Sequence, residues 1–380
     1  MFRGLTWDHP RGRNALERAA QQTADSSNPL IRWDVQPLEG FESAPIEELA
    51  ARYDVIVLDH PHLGEAVARQ CLQPLDAVFP ASMIKDLAVG CVGPSLVSYR
   101  LDDRQWALPL DAATQVSVRV PELVPTAPTS WDQLGELDAP VAVCLAGPHA
   151  LMNFFSACVG LGAIPHDQPG NGLVDLERGV EAYRLLAGIV ARMAPELAEL
   201  NPIGMLDRMR RRRDIGYLPW VYGYVNYAAP GPDGPPLHFS DVPQLRSGGR
   251  LGSTIGGTGL ALSARCTPDQ ALVDHLGWLL SQQAQTGFIP DNDGQPSLRS
   301  AWTDGAVNAA AGDFYADTLA TIDDAWVRPR FDGYIGFQTA ASTMLRQALL
   351  SGADARRTVE ELNQTYDRSA DAGRAEGTQS

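Results

Sequence analysis

Short apolar segments alternate with amphipathic ones along the first hundred residues. β-branched and aromatic residues fill the apolar segments, whereas the segments between them carry apolar residues at helical spacing. The first pattern is typical of strands and the second of helices. The predicted strands are 2–7, 31–38 and 55–60, and the predicted helices are 15–25, 46–53 and 64–72. This alternation predicts a parallel sheet with right-handed crossovers.

A longer apolar segment at 109–124 predicts a strand that leaves this first α/β unit. A second unit follows, with predicted helices from Ser130, at 150–162 and at 175–194, and a predicted strand at 140–146. Further helices are predicted at 266–283, 314–327, 334–351 and 354–366, and the small, polar tail 367–380 is predicted to be disordered. A chain of 380 residues exceeds what one compact core usually holds, so we expect two lobes.

The tripeptide Asp-His-Pro occurs twice, at 8–10 and at 59–61, in a chain with only seven histidines. Both copies lie at the carboxyl end of a predicted parallel strand. In a doubly wound sheet of order 2-1-3 these strands are neighbours, and ligands bind where the winding reverses. We therefore expect one cleft to contain Trp7, Asp8, His9, Asp59, His60 and His62. A structural alternative, in which proline sets a sharp exit and aspartate caps the next helix, stays open.

Composition and charge narrow the classes of function. The chain is 44% hydrophobic and 20% charged, which is ordinary for a globular protein. Its net charge of −16 disfavours binding to nucleic acid or to an anionic membrane, and no apolar segment approaches a membrane span. The five cysteines are scattered without a C-x-x-C pair, so neither a disulfide framework nor a zinc site is indicated. The absence of a Walker sequence excludes a P-loop nucleotidase.

Several segments, taken in order, resemble the family 1 extracellular solute-binding proteins of ABC importers, the sugar-binding type. They are "YDVIVLDHPHLGEAVARQCLQPLD", "RQWALPLDAATQVSVRVPEL", "PTSWDQLGEL" and "GGTGLALSARC", with a similar closing segment at 327–364. The resemblance covers residues 1–365. It implies the type 2 periplasmic-binding-protein fold, in which crossing strands join two α/β lobes that clamp a ligand. Parallel-dominated sheets with helices on both faces and a C-terminal helical segment complete that architecture.

The same resemblance implies a division of the chain. Lobe 1 is expected to comprise 1–115 and 256–330, and lobe 2 is expected to comprise 116–255. The C-terminal helices, 331–366, are expected to pack on the lobes. The hinge candidates lie near 111–118 and 250–260.

A sugar-binding cleft needs aromatic rings that stack on sugar faces and planar polar groups that hold hydroxyls. Besides the six residues of the double motif, the candidate ligand-binding residues are Arg11, Asp111, Thr114, Gln115, His149, Trp220, Tyr222, Tyr224, Asn226, Gly257, Thr258, Gln295 and Trp302. The glycines of the "GGTG" segment would bring bare backbone N–H groups near the hinge. The alternating aromatic residues at 220, 222 and 224 equally fit the buried face of a strand.

A second hypothesis is a cytoplasmic enzyme on the same scaffold. An imidazole that a carboxylate orients can move protons on a bound substrate, as in dehydration, isomerisation or cyclisation. Asp8 with His9 and Asp59 with His60 are the candidate catalytic pairs. Acid–base chemistry is favoured over a metal held by these histidines, and we expect neither a metal nor a cofactor.

The first twenty residues lack the apolar core and cleavage site of a signal peptide. If Met1 is the native start, a cytoplasmic location follows. An upstream start would instead fit a periplasmic or extracellular protein with an ABC permease as its partner.

Overall fold

The computed structural model describes residues 1–23, 29–231 and 233–376. Its strands are β1 (Phe2–Trp7), β2 (Ile31–Gln36), β3 (Val55–Leu58), β4 (Arg100–Leu101), β5 (Arg104–Gln105), β6 (Leu108–Arg119), β7 (Tyr217–Tyr222), β8 (His238–Ser240) and β9 (Ile255–Leu262). The three strands predicted in the first sixty residues are confirmed, with β2 and β3 ending two residues earlier than expected.

The helices cover both faces of the sheet and the C-terminal part of the chain. They are α1 (Pro10–Gln22), α2 (Leu38–Ser43), α3 (Ile46–Ala50), α4 (Leu63–Ala68), α5 (Ala81–Gly90), α6 (Ser95–Ser98), α7 (Trp131–Gly135), α8 (His149–Gly160), α9 (Leu176–Val190), α10 (Pro202–Arg212), α11 (Gln270–Leu279), α12 (Ile289–Asp291), α13 (Arg299–Trp302), α14 (Gly305–Ala310), α15 (Phe314–Asp317), α16 (Leu319–Asp323), α17 (Tyr334–Ser351) and α18 (Ala355–Glu376). Within the described residues, none of these helices is both long enough and apolar enough to cross a bilayer.

The sheet runs in the order β2-β1-β3-β9-β6-β7, and β8 pairs with β6. β1 is parallel to β2 and to β3, which confirms the predicted 2-1-3 order. β9 is antiparallel to both β3 and β6. The carboxyl ends of β1 and β3 therefore lie side by side. The two Asp-His-Pro copies, which directly follow these strands, begin next to each other.

β6 is the longest strand, and it passes from one part of the molecule to the other. Six of its first seven residues pair with β9, and Ser117–Arg119 pair with β8. We call the part built on β2, β1, β3 and β9 lobe 1, and the part built on β7, β8, α8, α9 and α10 lobe 2. The residue boundaries of the lobes stay a prediction.

Residues 314–323 pack differently from the expected division. This segment was expected in lobe 1, but α15 packs on β8 and α16 packs on β6. Asp241, which directly follows β8, accepts hydrogen bonds from the backbone and the side chain of Thr321. These contacts put α15 and α16 on the lobe 2 side. α17 and α18 pack there too, against α8 and α9.

Two predicted elements differ in the structure. The segment 140–146 makes only a single strand-type bridge, between Val141 and Tyr217. The Cys144 carbonyl accepts a hydrogen bond from the Asn153 side chain instead of from a neighbouring strand, so no ladder forms there. At the C-terminus, α18 continues to Glu376, so residues 367–376 are helical rather than disordered. Asp367 in this extension accepts hydrogen bonds from the backbone N–H groups of Gly170 and Gly172, and 377–380 lie outside the described residues.

A buried ion pair ties the segment between α16 and α17 to lobe 1. Arg328 donates to Asp59 at 2.5 Å and to Gln338 in α17 at 3.1 Å. The His60 ring, which is fully buried, lies 3.0 Å from the same carboxylate. Burial opposes ionisation of Asp59, but Arg328 and His60 together hold its pKa below the usual range. Burial, assisted by Arg328, lowers the pKa of His60 to about 4.

This depressed histidine predicts acid sensitivity. The unfolded chain takes up a proton at His60 near pH 6.5, whereas the folded protein does so only near its pKa of about 4. Stability is therefore lost as the pH falls between these values, by on the order of 3 kcal/mol at the lower end. Urea unfolding from about pH 7 to about pH 4.5 measures this loss.

The variant His60→Gln should reduce that pH dependence, because it removes one of the buried histidines whose pKa is lowered in the folded protein. The control is His166→Gln, which replaces an exposed histidine away from the Asp59–Arg328 pair. Equal slopes in wild type and His60→Gln would contradict the assignment.

Candidate functional site

A cleft lies at the carboxyl ends of β1 and β3 and faces lobe 2. It encloses about 60 Å³, and at Glu42 it meets an outer hollow of about 270 Å³. Larger hollows of about 700 and 740 Å³ lie elsewhere on the surface. We treat the cleft as the candidate site because side chains from both lobes converge there.

Eight of the candidate residues line this cleft. They are Trp7, Arg11, Asp59, His149, Tyr222, Tyr224, Gly257 and Thr258. Trp7 ends β1 and Asp59 directly follows β3, so the strand order accounts for their proximity. Tyr222 ends β7 and His149 begins α8, which brings lobe 2 to the same space.

The sequence analysis missed five further lining residues, namely Leu38, Phe41, Glu42, Ala113 and Pro202. Three of these belong to α2, which follows β2 at the same edge of the sheet. The apolar pattern predicts a strand up to residue 38, and this strand overlaps the start of the short helix α2. The segment "LEGFES" directly after a strand of the parallel sheet is the signal that indicates it.

Aromatic rings from both lobes surround the cavity. The Trp7 ring lies 5.9 Å from the Phe41 ring of lobe 1 and 5.9 Å, edge-on, from the Tyr224 ring of lobe 2. The Tyr222 ring packs edge-on to His149 at 5.9 Å. Such rings offer both apolar faces and, in tyrosine, a polar edge.

Two glycines of the "GGTG" segment are required by close approach. A Cβ at position 256 would lie 2.6 Å from the Tyr222 ring. Gly257 has a φ of +97°, and a Cβ there would lie 2.6 Å from the Asp111 carbonyl oxygen. The glycines therefore allow the Tyr222 ring and β6 to pack directly on the β9 backbone.

Arg11 lies at the floor of the cleft, in the first turn of α1. Its Nε donates to Asp111 Oδ2 at 2.6 Å and its Nη2 donates to Asp111 Oδ1 at 2.9 Å. Its Nη1 donates to the Gly223 carbonyl in lobe 2 at 2.9 Å, and the guanidinium lies 4.9 Å from the Tyr224 ring centre. Both charged side chains are about 95% buried, so this bidentate geometry offsets a large desolvation cost.

The first Asp-His-Pro copy serves α1 rather than forming an acid–base pair. His9 Nδ1 accepts the backbone N–H of Arg11 at 3.1 Å and so caps the helix, and its ring stacks on Trp7. Burial, with Arg11 and Arg13 nearby, lowers the pKa of His9 to about 3. Asp8 pairs instead with Arg13 at the surface, at 2.6 Å. The expected Asp8–His9 pair is therefore wrong.

The second Asp-His-Pro copy, at 59–61, holds the segment that contains Arg328. The Asp59 carboxylate accepts the His60 backbone N–H at 2.9 Å, which confirms the capping alternative at this position, and it also pairs with Arg328. His60 is fully buried away from the cavity lining, and His62 Nε2 lies 3.2 Å from the Phe41 carbonyl oxygen. Of the three, Asp59 alone lines the cleft.

Three polar candidates lie in buried networks below the cleft. Gln115 accepts from Ser156 at 2.6 Å and donates to Asn153 at 2.7 Å. Thr114 donates to the Thr254 carbonyl, just before β9, at 3.0 Å. Gln295 donates to the Ala112 carbonyl of β6 at 2.7 Å. These side chains hold the crossing strands together, and they do not line the cavity.

The remaining candidates also lie elsewhere. Trp220 is fully buried and packs on Trp131 at 5.0 Å between ring centres, as the strand-face alternative predicts. Trp302 is buried among the aromatic residues of α15. Asn226 donates to the Asp293 carbonyl at 3.0 Å. Among the described residues, no three histidine, cysteine, aspartate or glutamate side chains converge as a metal site requires.

The buried Arg11–Asp111 pair predicts a large cost for removing one partner. The variant Arg11→Met should lower the free energy of unfolding by about 3–5 kcal/mol, because it leaves the Asp111 carboxylate unpaired. The double variant Arg11→Met, Asp111→Leu should regain much of that loss. Urea unfolding measures both.

The control is Arg13→Met, which breaks an exposed pair and should cost about 1 kcal/mol or less. A loss in Arg11→Met no greater than in this control would contradict the burial argument.

Neither a protein-family model nor a curated protein matches the sequence. Solved structures do match the fold. The ribitol-bound ABC-transporter solute-binding protein of Agrobacterium radiobacter K84 has a TM-score of 0.79 and 17% identity, over 97% of this chain and 98% of that one. The tagatose-bound solute-binding protein of Thermotoga lettingae TMO has a TM-score of 0.78 and 11% identity, over 97% and 98%. Maltose-bound MalE3 of T. maritima has a TM-score of 0.77 and 16% identity, over 96% and 98%. This chain therefore has the two-lobe α/β fold of ABC-transporter solute-binding proteins, as the order of its sequence segments predicts.

Proposed function

We propose that this protein is a solute-binding protein that clamps a small, carbohydrate-like ligand between its lobes. The observation that carries the proposal is the ring of aromatic side chains contributed by both lobes around one cavity. Trp7 and Phe41 come from lobe 1, and Tyr222 and Tyr224 come from lobe 2. A ligand in this position contacts both lobes at once, so binding and closure are coupled.

The chemistry of the lining suits a polyhydroxylated ligand. The C–H faces of a sugar or polyol stack on aromatic rings, while its hydroxyls need acceptors and donors in the same cavity. The carboxylates of Asp59 and Glu42 supply acceptors. The Thr258 hydroxyl supplies both an acceptor and a donor.

The size of the cleft favours a small ligand. The inner cavity of about 60 Å³ leaves room for few atoms, and the outer hollow adds about 270 Å³. Ribitol and tagatose, which two of the structural neighbours bind, are small compounds of the expected class. We therefore propose a monosaccharide or polyol rather than a long oligosaccharide. An ABC permease is the partner that this function would require.

A catalytic role lacks comparable support. His9 uses Nδ1 to cap α1, and His60 is buried beside the Asp59–Arg328 pair. The depressed pKa values of His9 and His60 keep both rings neutral at pH 7. Neither imidazole lines the cavity in which a substrate would sit.

Calorimetric titration with a panel of monosaccharides and polyols tests the proposal. We expect at least one member to bind and to be recovered unchanged, as mass spectrometry would verify. Tyr222→Ala should weaken that binding by about tenfold or more, because it removes a stacking surface of the cleft. Tyr222→Phe keeps the ring and should stay within about threefold of wild type.

The matched control is Tyr53→Ala, because Tyr53 is a buried aromatic residue of lobe 1 outside the cleft. It should leave the ligand affinity unchanged. Conversion of the ligand, or equal weakening by Tyr53→Ala and Tyr222→Ala, would count against a solute-binding cleft at this position.

A further inference from the structure

The fixed charges inside the cleft are almost completely matched. The Arg11 guanidinium is balanced by Asp111 through two hydrogen bonds, and the Arg328 guanidinium is balanced by Asp59. All four groups are buried by at least 85%. A ligand thus meets no uncompensated guanidinium at the cavity floor, and an anionic ligand would find no free cation there.

Glu42 is the exception to this balance. Its side chain is 17% exposed, and it lines both the inner cavity and the outer hollow. No arginine or lysine in the described ranges approaches it within ion-pair distance. Its neighbour is His149, whose Nε2 lies 3.2 Å from Glu42 Oε1.

His149 is a second and independent sign that the site expects a polar group. Its side chain is 97% buried against the cleft, and it lines the inner cavity. Its Nε2 makes no hydrogen bond of good geometry with the residues that the structure describes, despite its proximity to Glu42. A ligand polar group beside the two side chains would give both a hydrogen-bond partner, since buried polar atoms rarely stay without partners.

The approach to the cavity is also acidic. Glu39 and Glu199 line the outer hollow together with Glu42, and Arg346 is the one cationic residue among its lining residues. Arg346 already pairs with Glu199. Glu39 accepts a hydrogen bond from the Asn201 side chain, which is uncharged. The outer hollow therefore carries net negative charge, which attracts cations toward the cavity.

The aromatic rings complete this environment. The faces of tryptophan, tyrosine and phenylalanine attract a cation through the ring quadrupole, and the attraction grows when water is excluded. Arg11 already makes such contacts, at 5.7 Å from the Trp7 ring centre and 4.9 Å from the Tyr224 ring centre. The Phe41 and Tyr222 rings line the same cavity beside Glu42 and His149.

We propose that the preferred ligand is a small polyhydroxylated compound with a basic amino group, such as an amino sugar or an amino polyol, and that Glu42 holds its ammonium. This inference rests on the proposed function, and it names the class of solute for the same cleft. The hydroxyls bind as they would in a neutral sugar. The ammonium supplies the positive charge that the surroundings of the Glu42 carboxylate otherwise lack, and it donates hydrogen bonds that the carboxylate accepts.

Matched pairs of compounds test the inference. Glucosamine is compared with glucose, and 1-amino-1-deoxysorbitol is compared with sorbitol, so each pair differs only by an amino group in place of a hydroxyl. N-acetylglucosamine serves as the neutral control for steric bulk. By calorimetric titration at pH 7, we expect the cationic member of at least one pair to bind at least about tenfold more tightly than its neutral partner.

The variant Glu42→Gln assigns that preference to one carboxylate. It keeps the shape of the side chain and removes its charge, so the preference should fall to within about threefold. The matched control is Glu39→Gln, one turn earlier on α2 and exposed, which removes the same charge outside the inner cavity. It should keep most of the preference. Circular dichroism and a melting curve establish that both variants are folded.

The outcomes separate this inference from the proposed function. Neutral members that bind as well as or better than their cationic partners would overturn the inference and leave a sugar-binding protein. A cationic preference that survives in Glu42→Gln would overturn the role of Glu42. If no member of either pair binds and no sugar or polyol of the wider panel binds, the proposed function itself fails. The wild-type comparison alone decides the ligand class, so a variant that does not fold leaves the test intact.

Discussion

The cleft depends on two buried guanidinium–carboxylate pairs at the ends of parallel strands. Arg11 and Asp111 are 100 residues apart in the sequence, and Asp59 and Arg328 are 269 residues apart. Each pair joins the edge of the 2-1-3 sheet to another part of the chain. Asp111 belongs to β6, and Arg328 belongs to the segment between α16 and α17. Burying such charges is costly. Arg11 offsets the cost through two hydrogen bonds to Asp111, and Arg328 offsets it through one hydrogen bond to Asp59 and one to Gln338.

Each of the two arginines also makes contacts beyond its own ion pair. The ion pair between Arg11 and Asp111 lies within lobe 1 and the start of β6, whereas the contacts of Arg11 with lobe 2 are one hydrogen bond to the Gly223 carbonyl and the face of Tyr224. Opening the cleft would break this hydrogen bond and leave the ion pair in place. Arg328 similarly keeps its bond to Asp59 on one side and to Gln338 on the other.

The two buried ion pairs decide which polar groups of the cleft remain available to a ligand. Because both arginines are paired with carboxylates, the chemistry offered to a ligand comes from the aromatic faces and from the polar groups of Glu42, Asp59, Thr258 and His149. A binding protein gains specificity when its buried polar groups are left for the ligand to satisfy. The Glu42 carboxylate, which lacks an arginine or lysine partner among the described residues, and the His149 imidazole 3.2 Å from it are the groups through which the proposed ammonium would be recognised.

The sequence by itself determined the order of the first three strands and the location of a cleft at one edge of the sheet. Alternating apolar segments fix the strands, and parallel pairing brings Trp7 and Asp59 together, so the double Asp-His-Pro motif correctly indicated a cleft. Only the tertiary structure decided which motif residues face it. His9 turns to cap α1 and His60 turns into the core, because a helix start and a buried ion pair each compete for the imidazole. The sequence pattern likewise did not indicate Glu42, since α2 is too short to have a clear period and His149 of lobe 2, which lies beside Glu42, is far away in the chain. Local periodicity specifies elements, but the balance of buried charge is a property of the assembled fold.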